Sequence, residues 1–196
     1  MLWLITGALG SGKSAFAHEL AASLGREGVL LGCPPFPDGG NAESGPPKSR
    51  NERFAWSYSR ADASLPAKID AVNLESNLFR SERRILVLDS LSGWLRGLFE
   101  TEAHAARSPE EACSETVSAL LGFEGKAIVV TEEAAAGLAI GARERQYAYL
   151  LAAANRSLLE ASACAYRMTA GMATEVKGYR LKRGAAEDED LYANGR

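Results

Sequence analysis

The stretch that decides the fold lies at the start of the sequence and reads Leu2-Trp3-Leu4-Ile5-Thr6-Gly7-Ala8-Leu9-Gly10-Ser11-Gly12-Lys13-Ser14. Residues 2–6 form a short apolar run, which is typical of a buried strand. Residues 7–14 match the pattern G-x-x-x-x-G-K-[ST]. An apolar stripe at helical spacing then predicts a helix from about Lys13 to Leu24. A strand, a glycine-rich turn and a helix in this order predict a phosphate-binding loop.

The chemistry of this loop follows from its backbone. A glycine-rich turn lets successive N–H groups converge on phosphate oxygens, and the following helix adds the positive end of its dipole. We expect Lys13 to act in catalysis at the β- and γ-phosphates and Ser14 to ligate Mg²⁺. The alternative is a glycine-rich turn that serves only as a connector. The predicted nucleotide-binding residues of the loop are Gly7, Ala8, Leu9, Gly10, Ser11, Gly12, Lys13 and Ser14.

Short apolar runs alternate with helical patterns along the rest of the chain. Strands are predicted at 28–32, 85–88, 127–131 and 165–169, with a short extended segment at 53–58. Helices are predicted at 65–78, 91–99, 109–121 and 142–161. This alternation predicts an α/β fold: a P-loop NTPase-like, mostly parallel sheet with helices on both faces. We expect one domain over 1–182, with a long loop at 33–48 and an acidic, solvated tail over 183–196.

Carboxylates follow two of the predicted strands. Asp89 ends the strand 85–88, where a P-loop protein carries a second acidic residue, and we expect it to act in catalysis, nucleotide binding and Mg²⁺ ligation. A helix cap is the alternative role of Asp89. Glu132 and Glu133 follow the strand 127–131, at the edge where α/β sheets bind ligands. Of this pair we assign Glu133 the catalytic role of orienting an acceptor hydroxyl.

Other polar and aromatic residues receive simpler interpretations. His18 is predicted to face solvent, as is His104. Arg143 and Arg145 begin the long helix, where they either neutralise a transferring phosphate or form a solvated face. Trp56 is predicted to pack in the core, as is Tyr58.

Composition excludes several classes of protein. The 196 residues carry 22 Lys and Arg against 25 Asp and Glu, a formal net charge of −3, so no overall basic field indicates a nucleic-acid partner. No apolar run approaches the ~20 residues of a membrane span. Three widely spaced cysteines suit a reducing compartment, and we therefore expect a cytoplasmic protein.

The sequence resembles the bifunctional adenosylcobinamide kinase/adenosylcobinamide-phosphate guanylyltransferases of cobalamin biosynthesis. Beyond the loop, residues 87–98 are similar to the family stretch V-D-x-L-T-x-W-L-x-N-L. Residues 129–138 resemble its V-T-N-E-V-G-x-G-I, with Glu132 in place of the asparagine. Weaker similarities are carried by Trp56, Asp62 and Pro66, which echo a W-x-T-x-E-x-P run, and by Arg145, Tyr147 and Asn155, which echo an R-x-F…N-Q helix.

The resemblance implies a homotrimer that uses Mg²⁺ with GTP or ATP as co-substrate and takes a corrinoid small molecule. It implies phosphorylation of the aminopropanol hydroxyl of adenosylcobinamide and then transfer of GMP onto that phosphate, and it adds Asp62 to the nucleotide-binding residues. The family's guanylylated histidine is missing, because no histidine occurs between Glu19 and Ala103, and Lys48, Ser49 and Arg50 occupy the matching region. We therefore expect a diverged member that retains the kinase reaction, with adenosylcobinamide-phosphate guanylyltransferase activity left open. A P-loop kinase for another acceptor and a non-catalytic GTP- or ATP-binding relative remain alternatives.

Overall fold

The structure is a computed structural model that describes residues 1–33, 54–75, 82–101, 107–133 and 141–178. The predictions made for the loop 33–48 beyond Cys33, for Lys48, Ser49 and Arg50, for His104 and for the tail 183–196 lie outside these residues. The strands are β1 (Leu2–Gly7), β2 (Glu27–Gly32), β3 (Ala55–Arg60), β4 (Arg84–Asp89), β5 (Lys126–Val130), β6 (Cys164–Thr169) and β7 (Met172–Lys177). The helices are α1 (Lys13–Leu24), α2 (Leu65–Glu75), α3 (Leu91–Thr101), α4 (Pro109–Leu121) and α5 (Ala142–Ala161).

The seven strands form one sheet in the order β3-β2-β4-β5-β1-β6-β7. Every neighbouring pair is parallel except β6 and β7, which are antiparallel. The parallel order places the carboxyl ends of β1, β4 and β5 side by side at one edge of the sheet. The predicted α/β fold with a mostly parallel sheet is confirmed.

The sheet is covered on both faces, which explains why its central strands are apolar at every position. In β1, Leu2 and Leu4 pack in a cluster with α2 to α5, whereas Trp3 and Ile5 pack in a second cluster with α1. Among the described helices, α1 therefore covers one face alone and four helices cover the other. Because β1 and β4 are buried on both sides, the residues that follow them are held on a rigid support.

The predicted helix boundaries are confirmed where local signals are strong. Helices α1 and α5 have the expected limits. The start of α4 is a capping box, in which the Ser108 hydroxyl accepts from the N–H of Glu111 and the Glu111 carboxylate accepts from the N–H of Ser108. None of the helices in the described ranges is long and apolar enough to cross a membrane.

Strand β7 was not predicted from the sequence. It follows β6 through a two-residue turn in which Ala170 (φ 48°) and Gly171 (φ 83°) both have positive φ. A hairpin of this kind is usually signalled by Asn-Gly or Asp-Gly, and alanine at the first position hides it. Most of β7 is exposed, so its sequence also lacks the alternation that marks a half-buried strand.

Candidate active site

The loop between β1 and α1 has the geometry of an anion-binding turn. Gly10 (φ 71°) and Gly12 (φ 92°) adopt left-handed backbone conformations that favour glycine. Gly12 caps α1 without a side-chain hydrogen bond among the described residues, and the first turn of α1 contains no acidic residue. The N–H groups of that turn have no intrahelical acceptor, and the helix dipole adds positive potential there. The predicted loop can therefore cradle phosphate oxygens.

Lys13 lies back over this loop. Its side chain is 8% exposed, and its Nζ donates to the Ala8 carbonyl at 2.6 Å. Nζ also lies 3.6 Å from Oε1 of Glu132. The ammonium group is thus held at the mouth of the turn by one carbonyl and one carboxylate, both of which a phosphate oxygen can replace.

Asp89 lies at the end of β4 and faces α1. Burial, the strongest influence, raises the pKa of its carboxyl, and this is opposed by a hydrogen bond from Ser14 and by the nearby His18 and Lys13. A desolvated carboxylate beside a hydroxyl provides two hard oxygen ligands of the kind that Mg²⁺ prefers. Within the described ranges no group of three or more His, Cys, Asp or Glu could hold a metal ion. The chemistry of the Ser14–Asp89 pair fits a magnesium ion whose other ligands would be substrate phosphates.

The two glutamates after β5 point to different partners. Glu132 reaches Lys13, whereas Oε2 of Glu133 accepts from Arg167 at 3.2 Å, and the Glu133 side chain is 55% exposed. Sequence reasoning assigned the catalytic carboxylate to Glu133. The structure instead brings Glu132 to Lys13 and Glu133 to Arg167.

Glu132 is fixed by residues from two other elements. Its carbonyl accepts from Nδ2 of Asn155 at 2.9 Å, and the Asn155 amide oxygen accepts from Thr131 at 2.8 Å. Its Oε2 lies 3.7 Å from Nη2 of Arg96 on α3. The sequence signalled Asn155 through the family resemblance, but it gave no indication of Arg96, which is one of several arginines on helices.

The β6–β7 hairpin supports the loop from the other side. The N–H of Gly171 donates to the Ser11 carbonyl at 3.0 Å. A Cβ on Gly7 would lie 2.6 Å from the Met168 carbonyl oxygen, and a Cβ on Gly12 would lie 3.4 Å from Cα of Gly171. The close approach at Gly7 explains that glycine by packing, whereas at Gly12 a Cβ would make only an ordinary van der Waals contact and the positive φ is what favours glycine.

Asp62 is not brought to the loop. It follows β3, which lies four strand positions from β1, or roughly 19 Å at a spacing of about 4.8 Å. Its carboxylate accepts from the N–H and hydroxyl of Ser64 and pairs with Lys68 at 2.6 Å. Burial tends to raise the pKa of Asp62, but hydrogen bonds from Lys68 and Ser64 outweigh it and lower the pKa to about 2. The structure thus places Asp62 at the start of α2.

His18 is half-buried, so the prediction that it faces solvent is wrong. Its ring packs edge-on against Trp56 with centroids 5.2 Å apart, and its Nε2 is buried without a hydrogen-bond partner among the described residues. Burial lowers the pKa of His18, and nearby Asp89 opposes that shift. On α5, Arg143 donates to the Phe99 carbonyl at 2.7 Å, which joins the start of α5 to the end of α3.

Comparisons with known proteins address the family of this chain. None of the curated proteins matches it. Among solved structures it is similar to the cytoplasmic domain of the Thermomonospora curvata type VII secretion ATPase EccC, with a TM-score of 0.42 and 11% identity over 92% of this chain. The present chain spans 21% of that ATPase chain.

A protein family also matches most of the chain. Residues 3–176, from β1 to β7, match the CobU family, described as cobinamide kinase/cobinamide phosphate guanyltransferase. The matched range includes the loop, Asp89, Glu132 and the hairpin that supports the loop. The chain therefore belongs to the cobinamide kinase/cobinamide phosphate guanyltransferase family.

Proposed function

We propose that this protein is an NTP-dependent kinase that phosphorylates the aminopropanol hydroxyl of adenosylcobinamide. The observation that carries the proposal is one cluster at the carboxyl edge of the sheet. It joins a helix N-terminus that has no side-chain cap among the described residues, the buried Lys13, the Ser14–Asp89 pair and a carboxylate, Glu132, 3.6 Å from the lysine. Such a cluster offers the contacts that phosphoryl transfer needs, which are mainly positioning and charge stabilisation.

Nucleotide binding begins with an exchange of partners. The phosphates of GTP or ATP accept hydrogen bonds from the backbone N–H groups of the loop and the first turn of α1. Lys13 leaves the Ala8 carbonyl and Glu132 and contacts the β- and γ-phosphates. Ser14 and Asp89 would hold Mg²⁺, which supplies positive charge against the triphosphate. These contacts pre-organise the γ-phosphate without any side-chain nucleophile.

Transfer proceeds in line from the acceptor hydroxyl. The hydroxyl oxygen forms a bond to the γ-phosphorus while the bond to the bridging oxygen breaks, and the nucleoside diphosphate leaves. Glu132 orients the hydroxyl and accepts its proton. Its distance from Lys13 and its anchoring by Asn155 favour Glu132 over the more exposed Glu133 for this role.

Guanylyl transfer through a protein histidine is not part of this proposal. No histidine occurs between Glu19 and Ala103, so the region that matches the family's guanylylated histidine offers no imidazole for a phosphoramidate. His18 does not replace the missing residue, because its Nε2 is buried beside Trp56. The kinase step alone is therefore the reaction that the residues support.

The test is incubation of the purified chain with adenosylcobinamide, Mg²⁺ and GTP or ATP labelled at either the α- or the γ-phosphate. We expect the γ-label, and not the α-label, in the corrinoid product. The α-label on the product or on the protein would contradict the assignment to kinase chemistry alone. Transfer of γ-label to other alcohols but not to adenosylcobinamide would favour a kinase for another acceptor. Tight nucleotide binding without any product would favour a non-catalytic relative.

A further inference from the structure

One carboxylate in the site is shared between two cations. Glu132, whose side chain is 23% exposed, lies between Lys13 Nζ at 3.6 Å from Oε1 and Arg96 Nη2 at 3.7 Å from Oε2. The two cations come from different elements: Lys13 begins α1, and Arg96 lies in the second turn of α3. The arrangement joins the phosphate-binding loop to the helix that follows Asp89.

A bound triphosphate changes the charge balance of this group. When Lys13 turns to the phosphates, Glu132 loses one of its two cations and gains several negative charges nearby. Like charges at this range repel strongly in a partly desolvated site. Without a second cation, Glu132 would either weaken nucleotide binding or turn away from the transferring phosphate.

Arg96 has the properties of that second cation. A guanidinium keeps its proton in proteins, so its charge does not depend on its surroundings. The Arg96 guanidinium lies 5.8 Å from the ring centroid of Tyr147, and the Tyr147 hydroxyl donates to the Ser92 carbonyl at 3.1 Å. Tyr147 on α5 thus braces the helix that carries Arg96. Glu132 is then held at its backbone by Asn155 and at its carboxylate by Arg96.

We propose that Arg96 is a positioning residue that neutralises Glu132 when nucleotide takes Lys13, and so keeps this carboxylate beside the transferring phosphate. The inference rests on the proposed function, because it assumes that a triphosphate binds the Gly7–Ser14 loop. It requires no identified acceptor, since its first consequence is on nucleotide affinity.

The test is a double-mutant cycle on Mg²⁺–ATP and Mg²⁺–GTP binding, measured by calorimetry. Arg96→Ala should weaken binding about tenfold, because Glu132 is left uncompensated beside the phosphates. Glu132→Gln should tighten binding about threefold or more. The double variant should bind within about threefold of the wild type, because removal of the carboxylate removes the need for its counter-charge.

Matched variants separate this role from a structural one. Arg96→Lys keeps the charge and should retain most of the affinity, and Arg107→Ala, which removes a surface arginine paired with Glu115, should leave it unchanged. Thermal unfolding of each variant reports on folding. Equal loss of affinity in Arg96→Ala and in the double variant would overturn the inference, because it would show that Arg96 acts on the phosphates or on the fold without Glu132.

Failure of the inference about Arg96 can be distinguished from failure of the proposed kinase function. Turnover with adenosylcobinamide is measured in parallel, and its absence in the wild type overturns the kinase assignment while the binding cycle keeps its meaning. A wild type that binds neither nucleotide overturns both proposals.

Discussion

Two aspartates follow parallel strands at the same edge of the sheet, and their surroundings are opposite. Asp89, the last residue of β4, is desolvated, and burial raises its pKa. Asp62, after β3, is 48% exposed on its side chain, and its pKa is lowered to about 2 because Lys68 and Ser64 outweigh the opposing influence of burial. The first carboxylate faces a helix N-terminus and a buried lysine, whereas the second is satisfied by Ser64, just before α2, and by Lys68 in α2.

The comparison shows that a carboxylate near the carboxyl end of a strand can have either of two roles. A carboxylate with nearby hydrogen-bond donors on its own segment stabilises the start of a helix. A carboxylate that is desolvated beside a phosphate-binding loop is a candidate ligand for a cation, since perturbed acids concentrate at functional sites. Matched substitutions in the two regions can therefore test whether the two carboxylates differ in this way.

The largest difference is expected between the two lysines. Lys13→Ala should lower kcat about 10⁴-fold, because the charge on the transferring phosphoryl group loses its main protein cation. Lys68→Ala, which removes the partner of Asp62, should change kcat by less than about twofold. Steady-state kinetics with thermal unfolding as a folding control measures both. Near-normal turnover of a folded Lys13→Ala would contradict the assignment of the loop.

The two aspartates should differ next. Asp89→Asn is expected to lower kcat about 10³-fold and to raise the Mg²⁺ concentration needed for half-maximal rate, because the metal loses its charged protein ligand. Asp62→Asn should stay within about twofold of the wild type. Magnesium titrations at fixed nucleotide provide the measurement. A comparable loss in Asp62→Asn would place nucleotide near β3, as the family resemblance implied.

The adjacent glutamates Glu132 and Glu133 are also expected to differ in their effect on kcat. Glu132→Gln should lower kcat about 10²-fold, in the range of a lost general base, without weakening nucleotide affinity. Glu133→Gln should remain within about threefold, because its carboxylate pairs with Arg167 at an exposed position. If the two variants exchanged these effects, Glu133 would be the acceptor-orienting residue after all.

The smallest expected effect is that of Asp62 on the free energy of unfolding. Asp62→Ala should lower the free energy of unfolding by about 1 kcal/mol or less at pH 7, as loss of a partly exposed, ion-paired carboxylate does. The pKa of Asp62 is lowered in the folded state, so the stabilisation should persist down to about pH 4 and disappear as the pH falls towards 2. Denaturant unfolding of both proteins across this range measures the difference. A difference that did not depend on pH would show that the charge is irrelevant.

Sequence reasoning succeeded where the determining signals are local. The loop from Gly7 to Ser14, the limits of α1 and the capping box at Ser108 each depend on residues a few positions apart. The parallel sheet could be predicted because burial on both faces leaves continuous apolar strands. These features need no knowledge of which elements meet in space.

Sequence reasoning could not reach features that depend on contacts between distant segments. The choice between Glu132 and Glu133 depends on Lys13 and Arg167, which lie on other elements. The hairpin that supports the loop turns at Ala170, which lacks the usual turn chemistry. No pattern in α3 distinguished Arg96 from other helical arginines before packing placed it at Glu132.

A crystal structure with Mg²⁺ and a non-hydrolysable GTP or ATP analogue tests the site most directly. We predict that the β- and γ-phosphates lie on the N–H groups of the Gly7–Ser14 turn. Lys13 should have moved from Glu132 to the phosphates, and the metal should lie at Ser14 and Asp89. An analogue seated elsewhere, for example at the end of β3 beside Asp62, with Lys13 still paired to Glu132, would contradict this account of the site.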